Sequence, residues 1–276
     1  MSISSTLVHD AEIQFHEAVE SLRPFVGCFW VVTAQPDATI RVVPDGSTAI
    51  SIQLQKGQVP EWFLRGPLVR PDERCFTSEA TLVGIRLRPG VAFLLSGIPA
   101  HTMVGCRIRL RPSTRCTRSG QAASAFRDLV TEPLRPLTPE RCIDVLQRFL
   151  LQRLADAQLH NVVTAALHEI EREHGCVRAS DVAARCRVSA RHLNRLMRVW
   201  VGYGPKCYAN VIRFQSTLHS MEHVPGPTVA ALATDNGYFD QAHLTLDVAR
   251  FAGATPGRLA SVGVADFSKT RCDDLP

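Results

Sequence analysis

Up to about residue 110 the chain runs in short apolar bursts, and beyond about residue 138 it changes to a helical repeat. The bursts are "FVGCFWVVTA" (25–34), "TIRVV" (39–43), "TAISIQL" (48–54) and "ATLVGIRL" (80–87). All are rich in β-branched and aromatic residues, which suit a half-buried pleated surface. Turn chemistry divides them at "PDGS" (44–47), "KGQVP" (56–60) and "RPG" (88–90). Short strands at this spacing predict a barrel or sandwich. "VAFLLSG" fits either a short helix or another strand, and "LRPSTRCTRSGQ" (110–121) reads as a loop.

The second pattern opens at Thr138-Pro139, an N-cap residue followed by proline at the first helical position. Ile143, Leu146, Phe149, Leu150 and Leu154 then form an apolar stripe. "HNVVTAALHEIEREHG" is a second amphipathic helix, ended by Gly175. Shorter helices are predicted after Ser180, Ser189, Gly204-Pro205, Thr228, Asp240 and Thr255-Pro256. The expected organisation is a β-rich domain over 1–130, a linker helix region over 131–158, a helical domain over 159–262 and a frayed tail over 263–276.

One unit occurs twice in the helical part. "VSARHLNRLMRVWVGYGPKCY" (188–208) lies on "FDQAHLTLDVARFAGATPGRL" (239–259) without a gap, matching His192 to His243, Leu193 to Leu244, Gly202 to Gly253 and Pro205 to Pro256. Ala183 and Ala233 each stand four residues before the turn position that leads into a copy. A small residue there lets two helices cross closely, the arrangement of a helix-turn-helix whose second helix enters a major groove.

The copies differ in charge. Between Arg178 and Gln215 there are eight basic residues against Asp181 alone; between Thr228 and Val262 there are two arginines against three aspartates. In the first copy Leu193, Met197 and Trp200 recur at inward spacing, which leaves Arg191, Asn194, Arg195 and Arg198 on the outward face, after the capping Ser189. Arginine forks to guanine, asparagine pairs with adenine, and neighbouring cations hold phosphate, so this face predicts DNA reading. The matching face of the second copy is Ala242, Thr245, Leu246 and Ala249, with no cation. DNA contact there would rest on Gln241, His243 and Thr245, with Asp247 repelled by phosphate; a folded support or a protein-contact surface is the other reading.

Residues 160–261 resemble the DNA-binding domain of the AraC/XylS family of transcription regulators, through "A-x-x-x-GY-F-D-Q-A-H-L" followed by "RFAG-x-TP". The resemblance implies an α+β two-domain protein, with a β-barrel or sandwich-like effector and dimerisation domain before an all-α double helix-turn-helix domain. It implies that both second helices read adjacent major-groove segments, carrying the role to Arg191, Asn194, Arg195, Gln241, His243 and Thr245. Two positions depart from the family pattern. Leu246 replaces a common arginine, and Arg187 stands where the first turn commonly has glycine, as Gly237 does in the second. The β-half is similar, less specifically, to the domain that precedes this module in one group of such regulators, through "LRPFVGCFW", "VVPDGSTAISI", "LRGP" and "GIRLRPGVAFLL". No effector-binding residues follow from it. Arg65, Arg86 and His101 either line a pocket or are ordinary surface residues.

Composition narrows the rest. Apolar residues make up 45 % and charged residues 21 % of 276, a globular balance with a formal charge of +5. No apolar run is long enough for a membrane span, and the start lacks a signal-peptide pattern, so a cytoplasmic protein without membrane contact is expected. The nine cysteines show neither C-x-x-C nor zinc spacing, so buried reduced thiols are expected, with one exposed redox-sensing thiol as the other reading, and no metal or cofactor is expected. P-loop, dinucleotide, G-x-S-x-G and H-E-x-x-H motifs are absent, which argues against an enzyme. The partner expected is double-stranded promoter DNA. RNA polymerase, a small-molecule effector and a second copy of the chain are left open, as is a β-half that serves as a protein-interaction platform.

Overall fold

The computed structural model describes residues 6–111, 124–132, 138–223 and 228–262. Seven antiparallel strands build the amino-terminal half: β1 (Thr6–His16), β2 (Val26–Val42), β3 (Thr48–Leu54), β4 (Glu61–Arg65), β5 (Asp72–Cys75), β6 (Ala80–Leu87) and β7 (Arg107–Leu110). Their order is β1-β2-β6-β3-β4-β7, with β5 paired to β2. The short helix α1 (Val91–Ser96) follows β6, which resolves "VAFLLSG" as helix between left-handed Gly90 and Gly97.

Strand β2 joins two stretches that the sequence pattern separates. Asp37 bends it in the left-handed region at φ 65°, and its N–H donates to Phe76 O at 2.6 Å. Val32 and Ile40 consequently fall in one apolar cluster with Phe76 and Leu82. Eight residues of straight strand would hold them about 26 Å apart, so β2 folds back over its own sheet. Strands β1, β4, β5 and β7 are additions to the sequence reading. "EWFLR", "DERC" and "RIRL" are short and interleaved with charge, which conceals them.

The opposite face of the sheet carries Phe29, Ile50, Ile52, Leu64, Val83 and Ile85, packed against Leu146, Phe149 and Leu150 of α3 (Pro139–Leu154). The Thr138 hydroxyl caps α3 by accepting from Arg141 N. Helix α2 (Arg127–Thr131) precedes it.

The carboxy-terminal half contains α4 (Asn161–Arg172), α5 (Ala179–Arg185), α6 (Ala190–Trp200), α7 (Pro205–His223), α8 (Val229–Asp235), α9 (Gln241–Ala252) and α10 (Pro256–Val262). A common core holds Leu193 and Met197 of α6, Phe214 of α7, and Leu244, Val248 and Phe251 of α9, all fully buried. Serine, threonine and aspartate caps start α6, α8 and α9, as their spacing predicts. Ser180 is an exception. Helix α5 begins two residues earlier, its N-cap position is Arg178, and the Ser180 hydroxyl turns to the Asp181 carboxylate.

The halves pack together. Trp200 meets the Phe93 ring edge-on at 4.7 Å, and Gln215 Nε2 donates to Pro44 O at 2.6 Å. Val43 joins the helical core. Gly202, left-handed at φ 106°, lies against Pro67 and Val104, where a Cβ would not fit. The predicted tail over 263–276, most of the 110–121 loop, Cys116 and Cys272 lie outside the described residues.

Candidate nucleic-acid interface

The two helix pairs α5–α6 and α8–α9 share one turn. Arg187 N donates to Ala184 O and Val188 N to Ala183 O; Gly237 N and Tyr238 N make the equivalent bonds to Thr234 O and Ala233 O. Both turn positions are left-handed, Arg187 at φ 55° and Gly237 at φ 67°. Arg187 therefore holds a conformation that glycine holds freely, at a cost of about 1 kcal/mol. Ala183 and Ala233 are buried at the helix crossings.

Ser189 Oγ accepts from His192 N at 3.2 Å and fixes the start of α6. With Leu193 and Met197 facing the core, Arg191, Asn194, Arg195 and Arg198 are all exposed. Trp200 continues the inward face, half-buried against the β-half. Arg195 Nη2 lies 3.3 Å from His192 Nδ1. The Asn194 amide oxygen sits against Gly204, whose missing Cβ leaves it room.

Ion pairs sort the eight cations. Arg185 bonds Glu169 at 2.8 Å and Glu173 at 3.0 Å, and Arg213 reaches Asp247 at 3.4 Å. Arg178, Arg187, Arg191, Arg195, Arg198 and Lys206 remain exposed, paired with no carboxylate among the described residues. That is the electrostatic footprint of a polyanion partner.

The second unit presents a different surface. Gln241 is exposed. His243 is half-buried, 3.7 Å from Asp247 and edge-on to Tyr238 at 5.3 Å. The Thr245 hydroxyl donates to Gln241 O at 2.8 Å, and Leu246 is 71 % exposed. Asp247 corrects the sequence reading. It is buried and turned toward α7 and Arg213, so it does not face a phosphate backbone. Its spacing of three from Leu244 and four from Phe251 was the available signal.

Of the three residues considered for a pocket, Arg65 and Arg86 line a cavity of about 100 Å³ in the β-half. His101 does not; its Nδ1 lies 3.3 Å from Arg198 O, on the end of α6. The thiols also depart from expectation. Among the seven described cysteines only Cys142 is fully buried, its thiol pushed up to about 11 by burial and then by Glu140, whereas Cys75 and Cys176 are exposed. Among the described residues, one group has metal-binding geometry: His219, Glu222 and His223, a largely exposed set at the end of α7. No helix among the described residues is long and apolar enough to cross a membrane.

A family model described as a helix-turn-helix domain matches residues 182–261, which take in both helix pairs except the first three residues of α5. Residues 182–261 are an AraC-type helix-turn-helix domain. This domain follows a stretch, residues 14–109, matched by a model described as a domain of unknown function (DUF6597). No curated protein matches the chain. Solved structures of ToxT from Vibrio cholerae are similar over most of both chains. One aligns at 8% identity and a TM-score of 0.45, covering 91% of this chain and 98% of that one. Another, ToxT from Vibrio cholerae O395 bound to (E)-4-(8-methylnaphthalen-1-yl)but-3-enoic acid, aligns at 10% identity and 0.45, covering 94% and 99%. With its AraC-type domain, the protein carries the DNA-binding part of a transcription regulator.

Proposed function

We propose that the protein is a sequence-specific regulator of transcription in which the α6 face reads promoter DNA and the β-half binds a small effector. The observation that carries the reading is the exposed set Arg191, Asn194, Arg195 and Arg198, held outward by buried Leu193 and Met197. Arg191, Asn194 and Arg195 supply base contacts, while Arg198 and Ser189 serve the phosphates beside them. Gln241, His243 and Thr245 give α9 a lighter contact, because that face has no cation. No catalytic step is assigned to the chain. A second copy and RNA polymerase are the protein partners this role would use.

Selection of sheared genomic DNA on the purified full chain tests the reading. The expected result is a small set of fragments sharing one motif, with affinity falling steeply as salt rises because phosphate contacts release counterions. Retention without sequence enrichment would contradict it.

A further inference from the structure

The sheet face turned away from α3 carries three arginines in one register row. Arg86 of β6 pairs across Ala49 of β3 to Arg65 of β4, and Arg65 pairs with Arg107 of β7. Like charges placed directly opposite on neighbouring strands destabilise the pair. Arg74 of β5 lines the same cavity.

The acids at the cavity do not offset this set. Of the acids in the lining, Glu73 is engaged by Arg41 at 2.7 Å; Asp45, outside the lining, pairs with Arg86 at 3.5 Å. Asp72 is left to face Arg65, Arg74 and Arg107. Burial first and the Arg107 charge second bring the Arg74 guanidinium down to about 10, against the raising pull of Asp72. Burial lowers Arg65 and Arg107 as well. Arg65 Nε is buried with no hydrogen-bond partner among the described residues, a donor left without an acceptor at a cost.

Beside the cations is an apolar wall. Trp30 lies across Gly84, the one residue type that leaves space for its ring, and Val32 and Leu82 continue the floor. The Arg107 guanidinium stacks 3.8 Å from the Phe63 ring centre. At about 100 Å³ the cavity is smaller than the cavity of about 150 Å³ that holds benzene, so it encloses only part of a ring-sized body.

We propose that this cavity binds a compact organic monoanion, a carboxylate on a small aromatic or branched aliphatic body, with Arg65 and Arg107 on the carboxylate and Trp30 against the body. The inference rests on the effector-controlled reading above and names the chemistry of its site. It also supplies a route to the DNA-binding half. Arg86 and Arg65 both attract Asp45, whose turn seats Gly46 against Tyr208 and offers Pro44 O to Gln215, both on α7. A bound carboxylate competes with Asp45 for those arginines and loosens the turn from α7.

Thermal unfolding of the full chain, with and without phenylacetate, cyclohexanecarboxylate, phenylacetamide and inorganic phosphate, tests the site. At least one carboxylate should raise Tm progressively with concentration, as binding to the folded state alone requires, while the amide and phosphate should not. Arg107→Gln should weaken that carboxylate at least tenfold and leave the free protein's Tm unchanged or higher, since it relieves Arg65. Equal shifts with acid and amide, a shift with phosphate alone, no shift with any carboxylate, or full affinity in Arg107→Gln would each overturn the site. Affinity for the selected DNA, measured with and without the carboxylate, separates the two claims. A carboxylate that binds through Arg107 but leaves DNA affinity unchanged would keep the site and overturn effector control.

Discussion

Arg213 on α7 meets Asp247 on α9 at 3.4 Å while its guanidinium lies 4.6 Å over the Tyr238 ring and donates to Gly237 O. One side chain of the connecting helix thus holds the turn, the aromatic and helix α9 of the second unit. Their side chains are only 13% and 11% exposed, so removing one partner strands a nearly buried charge. Asp247→Ala should cost about 3 kcal/mol, read from chemical denaturation of the full chain. A loss under about 1 kcal/mol, the usual worth of a surface pair, would show that the contact does not fix α9 on α7.

The two turn positions predict unequal responses to alanine. At Gly237 a Cβ would lie 2.5 Å from Cys176 Sγ in addition to the left-handed strain, so Gly237→Ala should destabilise by about 1–3 kcal/mol. At Arg187 the strain is already present, and Arg187→Ala should change stability by less than about 0.5 kcal/mol. Denaturant midpoints of the two variants give the comparison, and similar losses in both would refute it.

Asp45 gives the contact between halves a pH dependence. Burial pushes its carboxyl up, but Arg86, the two bonds from Ser47 and the Arg65 charge together hold it below the usual carboxylate range. A folded value below the unfolded one, about 3.9, means the stabilisation is complete well above that value and is lost as pH falls through the folded value. The stability difference between the wild-type chain and Asp45→Asn should be constant from neutral pH to about 5 and shrink below about 4. Denaturation series at those pH values check it; a difference that widens in acid would reverse the sign.

Leu246 occupies on α9 the place that Arg195 holds on α6. Because Leu246 is 71 % exposed, an arginine can be accommodated there without repacking. Leu246→Arg should tighten binding to unrelated and selected DNA alike, with a salt slope steeper by about 1. An unchanged slope would place the second unit off the duplex.

The helical half was legible because its signals are local. Ser189 and Asp240 cap as their spacing implies, and the matched turns at Arg187 and Gly237 need only the repeat to be seen. The β-half was less legible. The bend at Asp37 is stabilised by Phe76, a distant partner, so the sequence pattern divides β2 into the separate stretches 25–34 and 39–43. The arginine row exists only through pairing: Arg65 and Arg107 lie far apart in sequence, and β7 alternates apolar and basic residues like a surface segment. The charge of Asp247 points to solvent, whereas its spacing from Leu244 and Phe251 places it on the buried face.

The reading face of α6 is tested most directly by Arg195→Ala, measured as the ratio of affinities for selected and scrambled DNA at fixed salt. If Arg195 reads a base, affinity for the selected sequence falls by about 1–3 kcal/mol and discrimination at one base position is lost, while binding to scrambled DNA changes little. Equal affinity of variant and wild type for the selected DNA, with discrimination intact, would contradict the account.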